Sequence, residues 1–195
     1  MSHIIGNTIV FIIDVILGTY ILIVLCRFLF QRLSVDFHNP VSQFILQATS
    51  PLLMPMRKYI PSYKGLDTSS LVLAYVLTII KLFLIWFFAA KGIHLFAAFG
   101  FALPDLVDSF LSIFLYAIII QVIVSWIPNL YGHPLLAILD SLTRPILTPI
   151  RRYMPSNMSG IDFTPMAATL VIMVVKLSLV PSLQLFIAAL IGVQV

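Results

Sequence analysis

Pro51-Leu52-Leu53-Met54-Pro55-Met56-Arg57-Lys58-Tyr59-Ile60-Pro61 returns, nearly unchanged, as Pro145-Ile146-Leu147-Thr148-Pro149-Ile150-Arg151-Arg152-Tyr153-Met154-Pro155. The offset is 94 at Pro51, Pro55, Arg57, Tyr59 and Pro61, with no insertion among them. It extends back to Pro40 and Pro134 and to Asp14 and Asp108. Past the loop one inserted residue makes it 95 for Gly65 and Gly160, Asp67 and Asp162, and Lys81 and Lys176. Both copies stand between strongly apolar runs, so each unit reads as apolar segment, proline-rich basic loop, apolar segment. The chain is one membrane unit written twice, over residues 1–92 and 93–195.

Composition supports the same reading. Hydrophobic residues make up 61% of the chain and charged residues 9%, against about 45–50% and about 25% in soluble domains. A water-soluble fold could not cover that much apolar surface. The formal charge of +4 does not point to nucleic acid, because a phosphate-binding surface needs a basic stripe in polar surroundings. Here the basic residues flank membrane segments. The single cysteine, Cys26, excludes an intramolecular disulfide and reads as an apolar packing residue. Met1-Ser2-His3 lacks the basic start of a cleavable signal, so the first segment is expected to remain as an anchor.

Four windows are long enough to cross the hydrocarbon core, which takes about 20 apolar residues. They are Ile5 to Cys26, Leu71 to Ala90, Leu106 to Ile127, and Met166 to Leu190, where Pro181 is expected to bend the last. The predicted fold is an all-α membrane protein, with four transmembrane helices arranged as two parallel two-helix repeats. Arg27, Arg32, Arg57, Lys58 and Lys64 cluster around the first connection and Arg144, Arg151 and Arg152 in the third, whereas Lys91 alone marks the middle one. Excess Lys and Arg is retained on the cytoplasmic side. Both proline-rich loops are therefore expected inside the cell, with both termini and the Lys91 to Pro104 connection outside. The halves are then related about the membrane normal.

Each loop carries a short helix of its own. Asn39-Pro40 supplies an N-cap and a first-turn proline, followed at helical spacing by Val41, Phe44, Ile45, Ala48 and Leu52. Pro134 starts the second copy, with Leu135, Ile138, Leu139, Leu142 and Ile146. Ser42, Gln43, Gln47 and Thr49, or Asp140, Ser141 and Thr143, read as the opposite, polar face. Such helices suit the membrane interface, and each is expected to end at its Pro-x-x-x-Pro turn. Pro51, Pro55, Arg57, Lys58 and Tyr59, with Pro145, Pro149, Arg151, Arg152 and Tyr153, are the candidate contacts to anionic headgroups or to a protein partner.

Ionisable groups also fall within the spans: Asp14 and Asp108 near the outer ends of the first and third, Lys81 and Lys176 near the middle of the second and fourth. Charges at such depth are costly and usually pair. Asp14 with Lys81 and Asp108 with Lys176 are the expected pairs. They can act as clips that fix helix register or as a proton or cation relay.

Arg27, Asn39-Pro40, Pro51-(x)3-Pro55-(x)-Arg57-Lys58 and Gly65-(x)-Asp67 resemble the YggT family, also called YlmG. Ser125-Trp126, Pro134, Pro145-(x)3-Pro149-(x)-Arg151-Arg152, Pro155 and Gly160-Ile161-Asp162-Phe163-Thr164-Pro165 resemble it more closely. The resemblance spans nearly the whole chain. Where the family pattern has an arginine four residues before Ser-Trp the second copy has Gln121, and where it has Ser-Trp the first copy has Gln31-Arg32.

The resemblance implies a small multi-span protein of a bacterial inner membrane, with a role in osmotic or salt tolerance through ion flux or regulation of a transporter. The alternative it implies is a scaffold or assembly factor, in cell division or membrane-complex assembly, that docks partners through the basic loops. An enzyme is not expected: His3, His38, His94 and His133 are scattered without metal-ligand spacing, and no nucleophile stands beside a base. No cofactor or nucleic-acid partner is expected, and homo-oligomerisation fits four helices that leave little room for a private pore. A reporter fused after Pro61 or Pro155 is expected in the cytoplasm by protease-protection assay; its recovery across the bilayer would overturn the orientation.

Overall fold

The computed structural model describes residues 2–63, 65–89, 95–127, 133–153 and 162–192. Six helices follow in order: α1 Ser2–Arg32, α2 Pro40–Arg57, α3 Thr68–Phe88, α4 Leu95–Ser125, α5 Pro134–Tyr153 and α6 Thr164–Ile191. Of these, α1, α3, α4 and α6 are long and apolar enough to span a membrane. Even α3, with 21 residues, rises about 31 Å, enough for the hydrocarbon core. In their most apolar windows only 17, 28, 28 and 11% of residues are buried inside the protein. The remaining apolar side chains, such as Phe11, Ile16, Leu177 and Leu185, point outward, and lipid is the solvent that accommodates them.

Within each repeat the two long helices form a hairpin, α1 with α3 and α4 with α6, and the hairpins meet along α3 and α4. Helix α2 lies on α1 and α3, and α5 on α4 and α6. The main apolar core sits at the end where these amphipathic helices close the bundle: Ile21, Leu25 and Leu53 meet Ile118, Leu142 and Leu147 there. A smaller cluster of Ile79, Ala98 and Ala102 holds α3 against the start of α4.

Local chemistry sets the boundaries. Asn39 Oδ1 accepts the Val41 N–H at 3.0 Å, with Pro40 opening α2, and His133 Nδ1 accepts the Leu135 N–H at 3.2 Å before α5. The Asn39 amide also donates to the Pro134 carbonyl at 2.7 Å, tying the two copies of the loop helix together. Gly65 has φ +78° in the turn closed by Tyr63 and Leu66, a conformation that costs a residue with a Cβ and not glycine.

Three expectations are corrected. Helices α2 and α5 do not end at their Pro-x-x-x-Pro turns; they run through both prolines to Arg57 and Tyr153. Prolines four apart place their missing N–H groups on one face, and Pro51, Pro55, Pro145 and Pro149 are all exposed. The unpaired carbonyls thus fall on the side that water and headgroups can reach.

The polar face is misplaced in part: Gln43 and Gln47 are exposed as expected, but three of its hydroxyl residues are not. Ser42, Thr49 and Thr143 are fully buried, whereas Phe44 and Leu52 are exposed. The threonine hydroxyls donate back to the Ile45 and Leu139 carbonyls at 2.7 and 2.8 Å, so their burial leaves no donor unmet.

The third span begins at Leu95 rather than Leu106, absorbing most of the expected outer connection and carrying Pro104 inside α4. Small residues make this possible. Ala97, Ala98, Ala102 and Pro104 are buried, a Cβ on Gly100 would come within 2.6 Å of Ile187 Cγ2, and the Tyr75 hydroxyl donates to the Phe99 carbonyl at 2.6 Å. Helix α6 continues through Pro181, with the Ser182 hydroxyl donating to the Ser178 carbonyl beside it at 2.6 Å. Lys64, Lys91, Pro155 and Gly160 lie outside the described residues.

Gly100→Leu is expected to force α4 from α6 and destabilise the protein by about 1–3 kcal/mol. A lowered thermal midpoint of the detergent-solubilised protein checks this; an unchanged midpoint would contradict the close approach.

Candidate functional site

The charges within the spans converge on their lysines. Lys81 Nζ lies 3.5 Å from Asp14 Oδ1 and 2.7 Å from Asp105 Oδ2, with only 8% of the lysine side chain exposed. Lys176 Nζ lies 3.2 Å from Asp108 Oδ1 and donates to Ser112 Oγ at 2.6 Å. Each repeat thus brings its own Asp and Lys together. Asp105 reaches across from the second repeat to join the first, so two carboxylates share one ammonium there while the second site is balanced one to one. The sequence reading missed Asp105 because it began the third span after Pro104, and the repeat gives no help, since Phe11 stands at the matching position.

In the loops, the arginines of the repeated motif are held from within the protein. Arg57 Nη2 bonds Asp67 Oδ2, and Asp67, 1% exposed, also accepts the Ser70 hydroxyl at 2.7 Å while capping α3. In the second copy Arg151 Nη2 lies 2.9 Å from Asp162 Oδ2. Hydrogen bonds from the side chain and backbone of Thr164, followed by that from Arg151, hold the Asp162 carboxyl below the usual aspartate range. Arg57 and Arg151 therefore clip each amphipathic helix to the next span. Lys58, Arg152, Tyr59 and Tyr153 remain on the surface, the tyrosines 85% and 87% exposed.

Arg27, near the end of α1, is only 6% exposed. Its Nη1 donates to Thr49 Oγ1 at 2.6 Å and to the Leu46 carbonyl and Ser50 Oγ at 3.3 Å each. At the matching place in the second repeat, the Gln121 side-chain amide lies 2.7 Å from the Thr143 hydroxyl. Both copies thus bury a threonine beneath a polar residue of the first helix, but only the first copy makes that residue a cation. The 94-residue offset aligns both pairs, and that was the signal available. Arg27, Gln31, Phe37, Leu46 and Arg57 line a groove of about 370 Å³. A second groove of about 570 Å³, between the end of α1 and α5, is lined by Ser34, Arg144, Pro145 and Arg152 among others.

The chain has seven acidic side chains, all aspartate. Asp36 faces His38 and Asp140 faces Arg144. The other five face Lys81, Lys176, Arg57 or Arg151. Among the described residues this leaves Arg27, Arg32, Lys58 and Arg152 without a carboxylate, and of these only Arg27 is buried.

A family model described as CCB3/YggT matches residues 6–88 and again 101–183. An uncharacterized protein of Pseudomonas aeruginosa is 34% identical over 181 residues, 89% of each chain. The uncharacterized protein YggT of Escherichia coli K12 is 31% identical over 179 residues, 91% of this chain and 92% of the relative. An uncharacterized protein of Vibrio alginolyticus from the proC 3' region is 33% identical over 160 residues, 81% and 85% of the two chains. No solved structure matches the chain.

Lys81→Met is expected to strand two carboxylates and cost about 3–5 kcal/mol, more than Lys176→Met, which strands one. Adding Asp105→Asn should recover part of the loss. A double-mutant cycle on unfolding in mixed micelles measures the coupling; additive effects would show that Lys81 and Asp105 do not interact.

Proposed function

The chain belongs to the CCB3/YggT family, and on that premise we propose that it is a non-catalytic scaffold of the bacterial inner membrane that docks a membrane or cytoplasmic partner through its two basic loop ends. One observation carries this reading: six of the seven aspartates are committed to lysine or arginine within the chain, whereas Lys58 with Tyr59 and Arg152 with Tyr153 stand exposed at matching places in both repeats. The positive-inside rule puts these ends in the cytoplasm, where anionic headgroups can share the cations and the exposed rings offer a partner rigid amphipathic anchors. The helix hydroxyls support a scaffold over a conduit. Thr78, Ser112, Thr169 and Ser178 donate to the Ala74, Asp108, Met166 and Val174 carbonyls of their own helices, each at 2.8 Å.

A second reading is osmotic or salt tolerance through ion flux or regulation of a transporter. It is favoured by the sharing of Lys81 between Asp14 and Asp105, which leaves a formal negative excess within the spans. A conducting form would be an oligomer, since four helices with this much outward-facing apolar surface enclose little.

Protein reconstituted in liposomes is expected to give no ion flux above empty vesicles, for wild type and for the Asp14→Asn, Asp105→Asn, Asp108→Asn variant alike. Lys58→Glu with Arg152→Glu is expected to abolish complementation of a deletion strain under osmotic shift while the protein still reaches the membrane. Flux in wild type that the triple variant loses would favour the second reading, and full complementation by the charge-reversed protein would refute the scaffold.

A further inference from the structure

We propose that the groove between α1 and α2 is a binding site for a singly charged phosphate anion, built on Arg27 and Arg57 and present in the first repeat alone. Arg27 is a buried guanidinium that uses Nη1 on three neutral oxygens of α2. Its Nε and Nη2 make no hydrogen bond to a described residue, and Arg27 is one of the residues that line the groove. Arg57 spends Nη2 on Asp67, leaving further donors on the same wall, and the Gln31 amide adds another.

Two guanidiniums and one carboxylate leave a formal excess of one positive charge. Of the other aspartates, five already face a lysine or another arginine, and Asp36 is exposed to solvent beside His38. A buried charge without a counterion is costly, and forked guanidinium donors match a phosphate oxygen pair. The groove, about 370 Å³, is within the size range of small-ligand sites.

The molecule contains its own control. In the second repeat the neutral Gln121 replaces Arg27 against the Thr143 hydroxyl, and Arg151 is balanced by Asp162, so the corresponding place carries no excess charge. The groove lies where α1 leaves the span and meets the interfacial helix, at headgroup depth. Phosphatidylglycerol brings one phosphodiester charge to that level, and inorganic phosphate would bring the same chemistry from solution. The site is independent of the docking reading, since it uses neither Lys58 nor Arg152.

The test is native mass spectrometry of the full chain, titrated with phosphatidylglycerol, with phosphatidylethanolamine and, separately, with inorganic phosphate. Wild type is expected to retain one anion preferentially, and Arg27→Gln, which writes the second repeat's residue into the first, to weaken it by about tenfold or more. Arg32→Gln removes an exposed cation outside the groove and should leave affinity within about twofold, as a rim charge does. Preference for phosphatidylglycerol assigns the site to a headgroup; equal displacement by inorganic phosphate assigns it to the soluble anion, and the anion site stands either way. Should Arg27→Gln not fold, Gln31→Leu leaves every Arg27 bond in place and is expected to weaken binding several-fold, whereas unchanged binding there overturns the proposal. Equal losses in Arg27→Gln and Arg32→Gln, or equal retention of phosphatidylethanolamine, would also overturn it.

Discussion

Within a bilayer a polar group has only the protein to answer it, and the placement of the charges in this chain follows from that constraint. Lys81 sits where Asp14 and Asp105 both reach it, and Lys176 where Asp108 and Ser112 do. These contacts select the helix pairing: α1 must lie on α3, α4 on α6, and the start of α4 near α3. The apolar surface of the long helices could not make that selection, since lipid tails solvate it as well as a neighbouring helix does. Specificity in the spans therefore comes from a few costly residues, and tight packing is concentrated at the end closed by α2 and α5.

The duplication shows which contacts both repeats share and which only one of them makes. The Arg57 with Asp67 and Arg151 with Asp162 clips occur in both copies, as do a threonine buried under the first helix and a cap before each interfacial helix. The departures are matters of charge. Arg27 is ionic where Gln121 is neutral, and Asp105 stands where the first repeat has Phe11. Both differences leave unbalanced charge at the first hairpin, the positive one near the loop helices and the negative one deeper in the spans.

Much of the fold was legible because it rests on features with a fixed period or a fixed cost. The offset between Pro51 and Pro145 exposed the repeat, run length gave the four spans, and the expense of a buried charge put Asp14 beside Lys81. The errors share a cause. Pro51, Pro55, Pro104 and Pro145 read as helix ends, yet neighbours or solvent can satisfy the groups a proline releases, and only the folded molecule shows which. Thr49 and Thr143 read as an outer face because hydroxyls are polar, but a hydroxyl bonded to its own helix can be buried beneath a guanidinium or an amide. Arg57 and Arg151 read as lipid-facing cations because their partners lie 10 and 11 residues ahead, across a loop no periodicity describes.

Six helices crowd one end of the bundle, while only the four long ones continue through the rest. The protein therefore displaces more area in one leaflet than in the other. A bilayer bent to match that taper would accommodate the protein with less elastic stress than a flat one.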